Sequence, residues 1–409
     1  MSLYKNSTKL LSGTFIAQLI TFLTLPIITR NISPAEYGLY SQILFIVATL
    51  LPLATLKIEI LNMTIEDVNE SRKLLNFAIF NSIGLSLIIF PVFSFIILIF
   101  KINVQYSISF YALIAFCLIT QAFVNIVNQQ NMKSKKYTRV MQGSILQNAM
   151  LSGLQILFTI LKPIYQLLII SYIIGRAIVV LREIRIIKNL IKYKLNMRQS
   201  IETYKKYRKK STILTLGSFL ETFFYSAIST LISLKYGSAA AGYLGLALIL
   251  YLVPTTLIGS SFSSVIFSEF QEKNGENTKV RSLMLFVLII SIGIAVVVSN
   301  FFPLISDLYL SETWKQSSNL IKYLAVPIGI NILWITCTNI YIKSQKFNLY
   351  LGFMIARILT SIFVGYVLFL NQKSWQVIVI GYFVSGSFVV LLPTLRIYST
   401  LLTKRTFFN

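Results

Sequence analysis

LLSGTFIAQLITFLTLPIITRNISPAEYGLY, from Leu10 to Tyr40, decides how the chain is read. No charge interrupts it between Lys9 and Arg30. A helix rising 1.5 Å per residue over about twenty such residues crosses a hydrocarbon core of about 30 Å. Thr14, Gln18 and Thr21 fall on one face, and Pro26 sits near the far end. A tight turn, Ser33-Pro34-Ala35-Glu36-Tyr37-Gly38, leads directly into a second apolar run. The same unit recurs about two hundred residues on. There Ile213–Leu234 lead into Tyr236-Gly237-Ser238-Ala239-Ala240-Ala241-Gly242-Tyr243-Leu244, with Gly242 in the place of Gly38. The chain reads as two copies of one membrane half.

Composition agrees. Of 409 residues, 56% are hydrophobic and 12% charged, against about 25% charged in soluble proteins. The first apolar run is too long for a signal peptide and lacks a small-residue cleavage site. A net charge of +24 would suggest nucleic acid in a soluble domain. Here the lysines cluster in short loops between spans, so nucleic acid is not the expected partner. The absence of histidine, with both cysteines (Cys117 and Cys337) inside apolar runs, leaves no metal site and no disulfide framework.

Twelve spans are expected: 10–30, 38–56, 74–100, 107–128, 140–161, 164–187, 212–234, 240–267, 283–305, 318–342, 348–370 and 376–396. Of the 37 lysines and arginines, 27 fall in the two tails and alternate loops, 7 on the other side, and 3 within spans. Basic residues stay on the cytoplasmic side, so both termini are expected there. The basic stretch Lys188–Lys210 separates six spans from six. Residues 1–187 then form an N-terminal six-helix bundle, 188–210 a basic cytoplasmic linker, and 211–409 a C-terminal bundle. Six spans restore the same sidedness, which makes the repeats parallel. The linker should lie as a surface helix against anionic lipid.

An arginine at mid-span costs about 2.5–3.5 kcal/mol on insertion scales. Arg176 and Arg357 lie near the centres of the sixth and eleventh spans, and Glu221 near that of the seventh. Helical spacing sets Tyr172, Arg176 and Glu183 on one stripe, Ser218, Glu221 and Tyr225 on a second, and Tyr350, Arg357 and Ser361 on a third. These stripes should face a wet cavity or one another. The plain alternative is an Arg–Glu pair that only locks helices. Two positive centres against one carboxylate favour an anion, above all a phosphate or pyrophosphate, which guanidinium binds bidentately. Arg30, at a span end, could equally snorkel. Gln121, Asn125, Asn128, Gln142, Gln147, Asn148, Gln155, Asn331 and Asn339 offer amides to sugar hydroxyls, although amides also glue helices together. No Walker loop, no histidine-assisted nucleophile and little support for a paired-carboxylate site are present, so no enzyme chemistry is expected.

Leu25-Pro26-Ile27-Ile28-Thr29-Arg30 followed by Ile32-Ser33-Pro34-Ala35-Glu36-Tyr37-Gly38-Leu39-Tyr40 resembles the opening segment of the polysaccharide transporter family, within the multidrug/oligosaccharidyl-lipid/polysaccharide (MOP) flippase superfamily. The resemblance is strongest to the O-antigen flippases (Wzx). Leu56-Lys57-Ile58-Glu59-Ile60, Asn128-Gln129-Gln130 with Lys135-Lys136-Tyr137, and Ala241-Gly242-Tyr243-Leu244-Gly245-Leu246-Ala247 are similar to later family segments. The resemblance implies an all-α fold of two six-helix bundles in a V around a central cavity, as in MATE transporters. It implies alternating-access transfer of an undecaprenyl-pyrophosphate-linked oligosaccharide, such as an O-antigen unit for lipopolysaccharide, to the periplasmic leaflet of the bacterial inner membrane. Beyond the substrate and membrane lipid, a polymerase and a chain-length regulator are implied partners. No cofactor is expected beyond a coupling ion, Na+ or H+. The seventh family helix often carries an acidic–Arg pair where this chain reads Ser226-Ala227-Ile228-Ser229-Thr230.

On this reading Arg176 and Arg357 hold the pyrophosphate headgroup, with Arg30 assisting. Gln18, Asn125 and Asn148 line the path, and Glu221 binds the coupling ion. The alternatives are a multidrug extruder of the same superfamily, which should carry an acidic cavity, and a membrane oligosaccharide polymerase, which should carry a long outside loop.

Overall fold

In the computed structural model, described for residues 2–100, 108–192, 197–263, 266, 278–302, 306, 309–344 and 346–402, the described residues contain helices and no strand. The first helices are α1 (Ser2–Asn31), α2 (Pro34–Thr55), α3 (Ile58–Leu61), α4 (Val68–Phe100) and α5 (Ile108–Lys133). There follow α6 (Tyr137–Leu161), α7 (Tyr165–Arg182), α8 (Ile184–Lys192) and α9 (Met197–Pro254). The remainder are α10 (Thr278–Asn300), α11 (Lys315–Tyr323), α12 (Ala325–Lys343), α13 (Phe347–Leu370) and α14 (Trp375–Leu402).

The opening turn starts two helices. Ser33 Oγ accepts the Glu36 N–H at 3.3 Å with Pro34 at the first helical position, which is how a helix start disposes of its unpaired donors. The Glu36 carboxylate then accepts the Tyr165 N–H at 2.7 Å, so a residue of α2 caps α7.

Nine helices among the described residues are long and apolar enough to cross a membrane, ten if the pair bent by 58° at 312–338 counts as one span. The chain is thus a multi-pass membrane protein. Each of the twelve expected spans overlaps helix where it is described, with the sixth interrupted at Glu183 and the tenth at Leu324. The seventh and eighth share α9, whose non-helical residue Gly237 (φ 88°, ψ 172°) makes the break between them. Only glycine enters that region without steric cost. Residue 107 of the fourth span, parts of the eighth and ninth spans (264–265, 267 and 303–305) and the Asn339 side chain lie outside the described residues.

The chain forms two compact units, Met1–Ser226 and Ala227–Asn409. In the first, α7 packs on α6 and α5, and α5 packs on α4. In the second, α14 packs on α13 and α12, and α12 packs on α10. Counted in spans, these three pairings of the first unit recur six spans later in the second, as parallel repeats require. Close approach depends on small residues. A Cβ on Gly175 would lie 2.9 Å from the Gln147 carbonyl oxygen, and one on Gly329 2.9 Å from that of Ser291.

The division between units falls inside α9, beyond the basic segment, because the first unit holds that segment. Tyr204 stacks on Phe77 with ring centroids 4.7 Å apart. Tyr204, Tyr207 and Leu214 pack against the apolar cluster of Ile58, Leu74, Leu75 and Ala78. Ser211 Oγ donates to the Leu56 carbonyl at 2.6 Å. Lys206 Nζ and the Tyr207 hydroxyl each donate to the Glu70 carboxylate at 2.6 Å. Those two donors hold Glu70 below the usual carboxylate range. A depressed carboxylate favours the fold above its ordinary range and ceases to as pH falls through its lowered value. The pair is solvated, so this contribution is small.

Candidate functional site in the first unit

The sixth expected span places its arginine where the stripe predicts. On α7, Arg176 lies one turn after Tyr172, and its guanidinium carbon stands 3.1 Å from the Tyr172 ring centroid. Arg176 Nε donates to Gln121 Oε1 on α5, and Nη1 donates to the Tyr172 carbonyl at 3.5 Å. The Tyr172 hydroxyl also donates to Gln121 Oε1, at 3.1 Å, and Gln121 Nε2 donates to Asn125 Oδ1 at 3.0 Å. Tyr40 of α2 and Cys117 lie within reach of the Arg176 charge. Tyr40 accepts a 2.9 Å hydrogen bond from Gln155 of α6. A second polar seam joins α1 to α6, where Thr21 donates to Asn148 Oδ1 at 3.2 Å and Thr24 to Ser152 at 3.3 Å.

Every immediate partner of Arg176 is neutral. No carboxylate is ion-paired with it among the described residues. Glu183, on the same expected stripe, is instead held by Arg139 at 3.3 Å and Arg182 at 3.9 Å. A guanidinium has five N–H donors; here Nε and Nη1 are engaged, while Nη2 has no partner among the described residues. Arg176 is half-buried, and Nη2 is the group left for an incoming acceptor. The arrangement offers a fixed cation with spare donors beside amide and phenol groups, a set that binds an oxyanion and neighbouring hydroxyls.

The other expected site residues are dispersed. Gln18 is half-buried on α1, one turn before the Thr21–Asn148 contact. Arg30 is exposed at the last turn of α1, where a cation complements the helix dipole. Glu221 is half-buried on α9. Arg357 lies in the second unit and is 1% exposed, with Nη2 donating to Asn331 Oδ1 at 3.3 Å. Its expected stripe with Tyr350 and Ser361 is buried as drawn, but it is turned into protein rather than toward water. The α13 face that carries Arg357 packs in the unit interior, whereas Arg176 keeps a surface.

Tyr40 carried no polar signal, because a tyrosine in an apolar run reads as core. Glu59 sits in the segment Leu56–Ile60, where a single carboxylate carries no pattern of its own. It stands beyond the apolar span of α2, is 2% exposed, and its Oε2 accepts no hydrogen bond. Burial pushes this carboxyl above the usual range, against the opposing charge of Lys57. The folded state therefore holds the proton more tightly than the unfolded chain, and stability falls as pH rises through the interval between the two values. Glu59→Gln removes that slope. As pH rises above the ordinary carboxylate range the wild type should lose melting temperature relative to Glu59→Gln. Parallel pH profiles would contradict a Glu59 carboxyl raised by burial.

Residues 27–285 match the sequence profile of the family described as polysaccharide biosynthesis protein. No curated protein matches the chain. Among solved structures it is similar to the lipid II flippase MurJ in an inward closed conformation, at 16% identity and TM-score 0.66 over 98% of this chain and 91% of that one. It is also similar to a MOP superfamily transporter from Pyrococcus furiosus, at 16% identity and TM-score 0.63 over 97% and 96% of the two chains. An outward-facing multidrug resistance MATE family transporter gives 14% identity and TM-score 0.65 over 97% and 96%. These likenesses show the fold to be that of the MOP superfamily transporters. With the family profile matched over more than half its length, the chain belongs to the polysaccharide biosynthesis protein family.

Proposed function

We propose that this protein is a flippase that moves an oligosaccharide on a polyprenyl pyrophosphate between the leaflets of a membrane by alternating access. The observation that carries the reading is Arg176, a mid-span cation with an unengaged Nη2 group and only neutral partners. A pyrophosphate supplies the acceptors that group lacks, and a guanidinium binds it through paired hydrogen bonds. Gln121 and Asn125 stand beside it, with Gln18 and Asn148 on the α1–α6 seam, to meet sugar hydroxyls. Arg30 assists at the span end. The undecaprenyl carrier, an O-antigen type of sugar unit, the bacterial inner membrane and cytoplasmic termini complete the proposal, along with a polymerase acting on the product.

Family membership supports a polysaccharide pathway, and the fold is shared with a protein described as a lipid II flippase. The Pyrococcus furiosus transporter is described as having a binding pocket of reverse polarity that suggests a different function. A cationic drug would be repelled by Arg176, which weighs against the extruder. Glu221 is the mid-span candidate for the coupling ion, and Glu59 is a second one by virtue of its burial.

Reconstitution tests the reading. Vesicles carrying a fluorescent polyprenyl-pyrophosphate oligosaccharide in the inner leaflet should expose the label to an external reductant faster with the protein than without. Efflux of a cationic dye should be unchanged. Dye efflux without exposure of the label would overturn the proposal.

A further inference from the structure

We propose that the second unit carries a site for one anionic phospholipid, its acyl chain in a groove between α9, α13 and α14 and its phosphate at Lys235. The groove has a volume of about 450 Å³. On α13 its wall is Ile362, Gly365, Tyr366 and Phe369, which the helical repeat stacks on one face. On α9, Leu231 and Lys235 stand one turn apart on the facing wall.

The lining is mostly apolar, and Leu231, Ile362 and Tyr366 are exposed. An apolar recess gives water too few partners to stay. In a membrane-spanning chain the filler at hand is hydrocarbon. Gly365 makes the recess. A Cβ there would meet the Tyr382 ring at 3.7 Å and Ile378 at 4.0 Å, ordinary contact distances, so helix packing does not require glycine at this position.

Lys235 fixes the polarity of the occupant. It is exposed two residues before the Gly237 break, at the end of the span away from the basic segment 197–210. It has no carboxylate partner among the described residues, and its Nζ lies 5.7 Å from the Phe369 ring centroid. The next residue, Tyr236, donates its hydroxyl to the Lys373 carbonyl at 3.4 Å, which brings the turn carrying a second exposed lysine to the same end. An apolar trough closed by an ammonium at a span end matches a lipid whose head is anionic. One point charge suits the single negative charge of a phosphodiester. A pyrophosphate calls for the paired donors of an arginine, and none lines this groove. The occupant is therefore a bilayer phospholipid rather than the polyprenyl substrate.

Native mass spectrometry of the purified full chain tests this, with phosphatidylglycerol, phosphatidylethanolamine and polyprenyl pyrophosphate offered at equal concentration. The wild type should retain phosphatidylglycerol over phosphatidylethanolamine about fivefold, the worth of one lysine at an anionic headgroup. Lys235→Gln should erase that preference, and Gly365→Leu should lower occupancy by both phospholipids. Gly365→Ala, whose Cβ fits, should lower it less while melting as the wild type does. Equal retention of the two phospholipids by the wild type, a preference that survives Lys235→Gln, or polyprenyl pyrophosphate outcompeting phosphatidylglycerol would each overturn the assignment.

Discussion

Arg176→Ala should cut transport of the lipid-linked oligosaccharide roughly ten- to a hundredfold, the equivalent of one lost hydrogen bond to a charged group at about 1.5–3 kcal/mol. The fold should survive, because Arg176 is half-buried and Gln121 Oε1 keeps the Tyr172 hydroxyl as donor. Arg176→Lys retains the charge but loses the planar fork, so it should recover only part of the rate. A helix-locking role would give the opposite pattern: reduced melting temperature with near-normal transport per folded molecule. Reconstituted transport normalised to folded protein separates the two.

The second large effect concerns packing. Gly175, next to Arg176, lets α7 lie directly on the α6 backbone. A Cβ would sit 2.9 Å from the Gln147 carbonyl oxygen and 3.3 Å from the Leu151 Cβ. Backbone cannot swing aside as a flexible side-chain tip can, so Gly175→Leu must push α7 from α6. Overpacking of this kind costs about 1–3 kcal/mol and sometimes more. It should lower the melting temperature and, by moving the neighbouring guanidinium, abolish transport. Gly84→Ala is the control, since a Cβ there meets nothing within 4 Å. Equal melting of Gly175→Leu and the wild type would show that the two helices do not depend on this contact.

The spans were legible because lipid imposes a simple rule: a long apolar run must close its own hydrogen bonds as a helix. The two-fold repeat was suggested by the turns before Gly38 and Gly242, and in the second copy the helix breaks at Gly237. The boundary between units was not, because charge alone marks Lys188–Lys210 as a linker, while Tyr204 and Tyr207, with Ser211 just beyond, fasten it to the first unit by side-chain contacts. At the site, spacing placed Tyr172 and Arg176 together correctly. Spacing says nothing about which way a stripe faces, so Arg176 and Arg357 looked equivalent until one proved half-buried and the other sealed against Asn331. Glu36 looked like part of a turn; its task of capping α7 joins residues 129 apart in sequence. Tyr40 and Glu59 belong to the same class, defined by neighbours that no local pattern reveals.

The central claim is that Arg176 recognises the pyrophosphate. Its most direct test is the affinity of the purified protein for a polyprenyl pyrophosphate compared with the uncharged polyprenol, for the wild type and for Arg176→Gln. The account expects the wild type to favour the pyrophosphate by at least about tenfold and Arg176→Gln to lose most of that margin while still binding the polyprenol. An unchanged margin in Arg176→Gln would contradict it.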